Sequence, residues 1–186
     1  MARRAPAQAV RWPWVTKRLP RMLALAGGVF LTLLSAGWAA RPPFLIDQNG
    51  VGAATLGRSS ASYSTIFGPG ERESIGGGLD RIVFVERNVA VVVRTATDRA
   101  IAIVTWSSQH TTAAQVGPCS RTTTLRRAYG PRLVTVASGQ GVTALRLGRL
   151  TWVADPEGFV GSVMLAGDGV SPLVALELPA CGRPSV

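Results

Sequence analysis

Any catalytic reading of this chain has to pass through His110, its only histidine. A Ser-His-Asp relay needs an imidazole to take the proton of the nucleophile. His110 stands in the polar connector Ser107–Gln115 and reads there as an exposed linker side chain. Cys119 and Cys181 are distant in sequence. Together with one histidine they fall short of the three or four closely spaced ligands of a zinc site. Asp155 and Glu157 form a pair of carboxylates, but in Asp155-Pro156-Glu157-Gly158 the geometry of a tight turn accounts for both. Glu71, Glu73 and Gly76–Gly78 read as a flexible loop without the Gly-Lys-Ser/Thr ending that a phosphate cradle requires. These residues predict a protein that is not an enzyme and that carries neither metal nor cofactor. The two cysteines are expected to pair as a Cys119–Cys181 disulfide, the usual state of two cysteines in an exported domain.

Export itself is read from the N-terminus. The chain has 186 residues and a net charge of +10. Arg3, Arg4, Arg11, Lys17, Arg18, Arg21 and Arg41 stand in the first 41 residues without one acid. The high basicity is therefore largely a property of the leader, and a nucleic-acid partner is not expected. Residues 1–21 are a basic cytoplasmic region. Residues 22–40 contain no charge and, at ~1.5 Å per residue, would span about 28 Å as a helix, enough for a hydrocarbon core. Basic charge ahead of such a run marks a signal peptide or a membrane anchor. Gly37 and Ala39 suit cleavage, while the length of the basic region and its Trp12, Pro13 and Trp14 suit retention. The expected location is secreted, or anchored on the extracytoplasmic side through residues 22–40. Residues 41–50 read as a proline-containing exit linker and residues 51–186 as the folded domain.

Two short stretches dictate the expected architecture. Tyr63-Ser-Thr-Ile-Phe-Gly-Pro and Leu125-Arg-Arg-Ala-Tyr-Gly-Pro each end a helical run on Gly-Pro, 62 positions apart. Glycine takes the left-handed geometry of a helix stop and proline cannot continue the helix. Ser59 or Ser60 can cap the first start, and Ser120 the second. β-branched runs then predict strands over residues 81–85, 89–94 and 100–106, and again over 142–147, 150–155 and 159–165. The expectation is an α+β fold. A helix-plus-three-strand unit is written twice (about 51–110 and 111–186), forming one antiparallel sheet with two short helices on one face.

With those motifs in place, Val51–Gly167 resembles the tandem β-lactamase-inhibitor-protein-like domains, whose single unit is similar to the SmpA/OmlA lipoprotein domain. The resemblance implies a concave sheet, helices on its convex side and a binding role, with no contact residue carried over. Independently of it, the strands are apolar on both sides, so the sheet needs cover beyond two helices. A C-terminal segment (Ser171–Gly182), self-association or a protein ligand could supply it. The candidate partner surface comprises Val92, Val104, Trp106 and Trp152, with tryptophan the commonest affinity anchor. The function read from sequence is thus an exported bacterial binding module for an unknown protein partner. The alternative is a structural envelope component anchored at the membrane. Arg121, Arg126, Arg127 and Arg132 either contact an anionic surface or form a solvated helix face, and the second reading is preferred.

Overall fold

The chain divides into Met1–Ala40 and Arg41–Val186. The structure, a computed structural model, describes residues 42–139, 141–167 and 170–171. The leader, the apolar run 22–40 expected to signal or anchor, the C-terminal segment from residue 172 and Cys181 lie outside the described residues.

Chain order begins with three two-residue strands, β1 (Ile46–Asp47), β2 (Gly50–Val51) and β3 (Ala54–Thr55), which form a small antiparallel sheet. Folding therefore starts inside the stretch read as a linker. Helix α1 (Ser60–Phe67) follows, then β4 (Glu71–Gly76), β5 (Leu79–Phe84), β6 (Val89–Arg94) and β7 (Arg99–Thr105). Helix α2 (Thr122–Tyr129) precedes β8 (Val134–Gly139), β9 (Val142–Leu147), β10 (Leu150–Ala154) and β11 (Val160–Ala166). The second sheet has eight strands in the order β4-β5-β6-β7-β11-β10-β9-β8, each antiparallel to its neighbours.

The expected helix-plus-three-strand unit is thus corrected. Among the described residues the fold is mostly β, with one sheet of three strands and one of eight and only two short helices. The sequence reading missed β4 and β8 because edge strands need no alternating apolar side. Every residue of β4 except Ile75 is exposed. Its glycine run is a turn and not a flexible loop: Gly76, Gly77 and Gly78 all take positive φ (82°, 62° and 71°), which glycine tolerates at the tip of the β4–β5 hairpin.

Both helices stop at the predicted glycines, Gly68 and Gly130. Their starts are made differently from expectation. Neither Ser59 nor Ser120 caps with its side chain. Instead Asp98, in the β6–β7 turn, accepts the Ser60 N–H at 3.0 Å and its hydroxyl at 2.7 Å. Arg72 of β4 then donates to Asp98 at 3.1 Å and to Asp80 of β5 at 2.7 Å. A carboxylate at a helix N-terminus satisfies free amides and favours the positive end of the dipole. The Ser60 hydroxyl, first among its partners, holds the Asp98 carboxyl below the usual range.

The large sheet is apolar on both sides. Its helix side packs Tyr63 of α1 and Leu125 of α2 against Phe84, Val89, Val163 and Trp152. Phe67 stacks on Phe84 at 5.2 Å and Tyr129 on Trp152 at 5.5 Å. Burial pushes the Tyr63 phenol up to about 12. The second side is built of smaller aliphatics: Val92, Ala102, Val104, Val153, Met164 and Ala166, with Val142 and Val170 packed at its rim.

Candidate binding surface

The four residues expected to share one open surface are divided by the fold. Val92 and Val104 lie at the centre of the second side and are fully buried. Trp152 is on the other side, fully buried under Tyr129 of α2. Trp106, one residue beyond β7, is half-buried and bonded through its backbone N–H to the Asn88 carbonyl. A strand with both sides apolar cannot reveal from alternation alone which side takes the helices, and β10 is buried at all five positions. Alternation therefore leaves the side of Trp152 undetermined, and the structure puts it under α2.

Register fixes what the second side does present. One row crosses the whole sheet: Glu71, Val83, Ala90, Val104, Met164, Thr151, Arg146 and Val134. The row is acidic at the β4 edge, apolar in the middle and basic near the β8 edge. At its basic end two buried polar atoms, Thr151 Oγ1 and Arg146 Nε, have no hydrogen-bond partner. Such groups ordinarily find one, and leaving them bare opposes folding.

The two edges of the sheet are equally unlike. On β4, Glu71, Arg72 and Glu73 are charged, and Glu73 is paired with Arg81 at 2.6 Å. On β8, Val-Thr-Val-Ala-Ser-Gly carries no charge. Val134 is 58% exposed and Val136 39% exposed, two of the four large hydrophobic side chains left in solvent among the described residues. A bulge between Thr135 and Ala137 leaves Val136 outside the β8–β9 register.

His110 corrects the reading of an exposed linker residue. It is 7% exposed. Its Nδ1 lies 2.6 Å from Thr105 Oγ1, and burial lowers its pKa. Thr111 pins the connector further, donating its N–H to the Phe44 carbonyl and accepting that of Ile46. The polar sequence around His110 gave no sign of this, because its cover comes from the N-terminal segment some sixty positions earlier. Between these elements lies a cleft of about 430 Å³, lined by Phe44, Phe67, Arg87, Ser107 and His110 among others. Of the carboxylates considered for chemistry, Asp155 serves its turn: it accepts the Phe159 N–H at 2.8 Å, and its carbonyl accepts the Gly158 N–H. Among the described residues no three His, Cys, Asp or Glu side chains are grouped to hold a metal ion. Cys119 is exposed in the turn before α2, and its expected partner Cys181 lies outside the described residues.

No family model matches this sequence, and no curated protein matches it. Two solved structures are similar in part. One is an extracellular protein containing an SCP domain from Bacillus anthracis, 10% identical with a TM-score of 0.45, covering 61% of this chain and 44% of that one. The other is a cysteine-rich secretory protein from Staphylococcus aureus, 12% identical with a TM-score of 0.43, covering 69% of this chain and 49% of that one. The chain thus spans less than half the length of either. The resemblance to β-lactamase-inhibitor-protein-like and SmpA/OmlA domains is not sustained. No family model matches, and four strands rather than three follow each helix.

Proposed function

We propose that this chain is an exported, non-catalytic module that binds another protein, with its contact at the β8 side of the large sheet. The observation that carries the reading is the contrast of edges: β4 is guarded by charge, while β8 is uncharged and leaves Val134 and Val136 in solvent. Long unguarded edges invite association, and soluble proteins usually block them. The closed centre around Val92 and Val104 moves the contact outward from the surface read in the sequence. Export is supported by the basic-then-apolar leader. A non-catalytic role is supported by His110, whose Nδ1 is held by a threonine hydroxyl and not by a carboxylate.

The test is site-directed photo-crosslinking in the native cell. A crosslinker at 134 or 136 should give a discrete adduct with a second protein. One at Val85, 63% exposed but remote from β8 in the sheet order, should not. Absence of any adduct at 134 and 136 would remove the reading. Export is checked separately by fusing residues 1–60 to a reporter active only outside the cytoplasm. The Cys119–Cys181 pairing belongs to the same proposal. Thiol counting on denatured, unreduced protein should find none, and two free thiols would refute the bridge.

A second reading is favoured by the cleft beside His110, whose volume and mixture of aromatic and polar walls suit a small ligand. In that case the bound molecule should protect the His110 ring signals from changing with pH.

A further inference from the structure

Building on the binding reading, we propose that the partner docks by strand addition: an extended, acidic segment pairs with the free edge of β8 and carries the eight-stranded sheet to nine. Among the described residues β8 ends the sheet and pairs only with β9, so its outward N–H and C=O groups meet no described strand. An edge of this kind supplies main-chain hydrogen bonds to an extended peptide, while side chains on alternate positions give selectivity. The exposed Val134 and Val136 offer the apolar part of that selectivity.

Charge supplies the rest. The sequence holds no acid between Asp98 and Asp155, and β8 lies within that stretch. Arg126 on α2 shares a cleft with Ser138 of β8, Arg132 stands just before β8 and Arg146 is opposite Val134, while Arg127 follows Arg126 on α2. The ion pairs among the described residues engage Arg72 and Arg81, and none of these four. Asp155 shares a cleft with Arg126 but is turned to the Phe159 N–H. A strand added beyond β8 would lie two strand spacings, about 10 Å, from β9. A glutamate there and the part-exposed Arg146 side chain can span that distance as a charge-assisted pair. Two copies meeting β8 to β8 would bring the same arginines together, so a second copy is the poorer occupant. An anionic polymer or lipid surface would use the charge without needing the edge.

The experiment uses the full chain and three labelled synthetic peptides, read by fluorescence anisotropy. The first alternates Val and Thr between acidic ends, the second has proline at its centre, and the third has lysine ends. The acidic strand peptide should bind, and the proline and lysine versions should bind at least about tenfold more weakly. Val134→Lys with Val136→Lys adds positive charge but guards the edge, and should weaken binding about tenfold. Arg146→Gln should weaken it up to about fivefold, the upper range for a half-exposed pair. Both valines are exposed, so circular dichroism should show these variants folded. Equal binding of the proline peptide, or tighter binding by the lysine variant, would mean a charged surface without strand addition and overturn the proposal. A dimer in size-exclusion chromatography that the lysine variant abolishes would overturn it in favour of a second copy. If no peptide binds while crosslinking at 134 and 136 still captures a protein, strand addition fails and the binding reading stands.

Discussion

The two sides of the large sheet are both apolar, yet only one is finished by large side chains, and neither has all its buried polar groups satisfied, since Trp152 Nε1 on the helix side also lacks a partner. On the helix side Trp152 lies against Tyr129, whose hydroxyl reaches Thr112 at 2.7 Å, and Phe84 lies against Phe67. On the second side the packed residues are small, and Thr151 Oγ1 and Arg146 Nε are left without partners. Large interdigitating aromatics bury more area and specify one arrangement, whereas small aliphatics cover a surface without fixing it as tightly. The difference in side-chain size predicts that the helix side contributes more to stability than the second side.

The strongest way to break this contrast is Trp152→Ala. Emptying a fully buried indole site should lower stability by about 3–5 kcal/mol, and the melting temperature by ~10 °C or more. Met164→Ala on the second side should lose less, about 2–3 kcal/mol, because smaller neighbours leave a cavity that can partly collapse. Equal losses in denaturant titrations would mean that the two sides contribute alike.

Acidification offers a finer separation. His110 is held on the helix side by Thr105, which shares a row with Val163 and Trp152. Its folded pKa lies below the unfolded value of about 6.5. The unfolded chain therefore binds more protons below that pH, and stability should fall as pH drops from 7 to 5. Asp98 and Glu73 have depressed carboxyls, whose losses set in near pH 4 and below. Since the chain has no other histidine, His110→Gln should flatten the profile between pH 7 and 5. A slope that persists in the variant would assign the effect elsewhere. The smallest expected change is a gain. Thr151→Val replaces an unpartnered buried hydroxyl with a methyl group of similar size and should stabilise by up to about 1 kcal/mol. A loss would show that the hydroxyl has a partner in solution.

What the sequence disclosed followed from where side chains must be strongly patterned. The six inner strands were legible because β-branched runs such as Val89–Val93 have no other good conformation. The helix stops were legible because Gly-Pro excludes continuation, and Asp155–Gly158 because proline and glycine define its turn. β4 and β8 were not, because one edge strand is charged and the other is built of small residues, and neither carries a buried stripe. β1 to β3 are two-residue strands, below any periodic signal. The binding surface was the least legible part. Val92, Val104 and Trp152 look alike in sequence as apolar strand residues, and only register and helix placement separate a buried centre from an exposed margin. Val134 and Val136 gave a weak signal, two valines in a strand without charge, that could have been found by asking which strands lack a guard.

The cap of α1 by Asp98 also has a temporal consequence. A helix of eight residues has no independent stability in water, and the carboxylate that completes its first turn stands 38 positions further along the chain. During folding α1 is expected to wait until the β6–β7 hairpin has turned back. Helix α1 thus precedes the hairpin in sequence but is expected to follow it in folding. Asp98→Ala should accordingly leave the hairpin's own formation rate unchanged and delay the acquisition of helical signal during refolding.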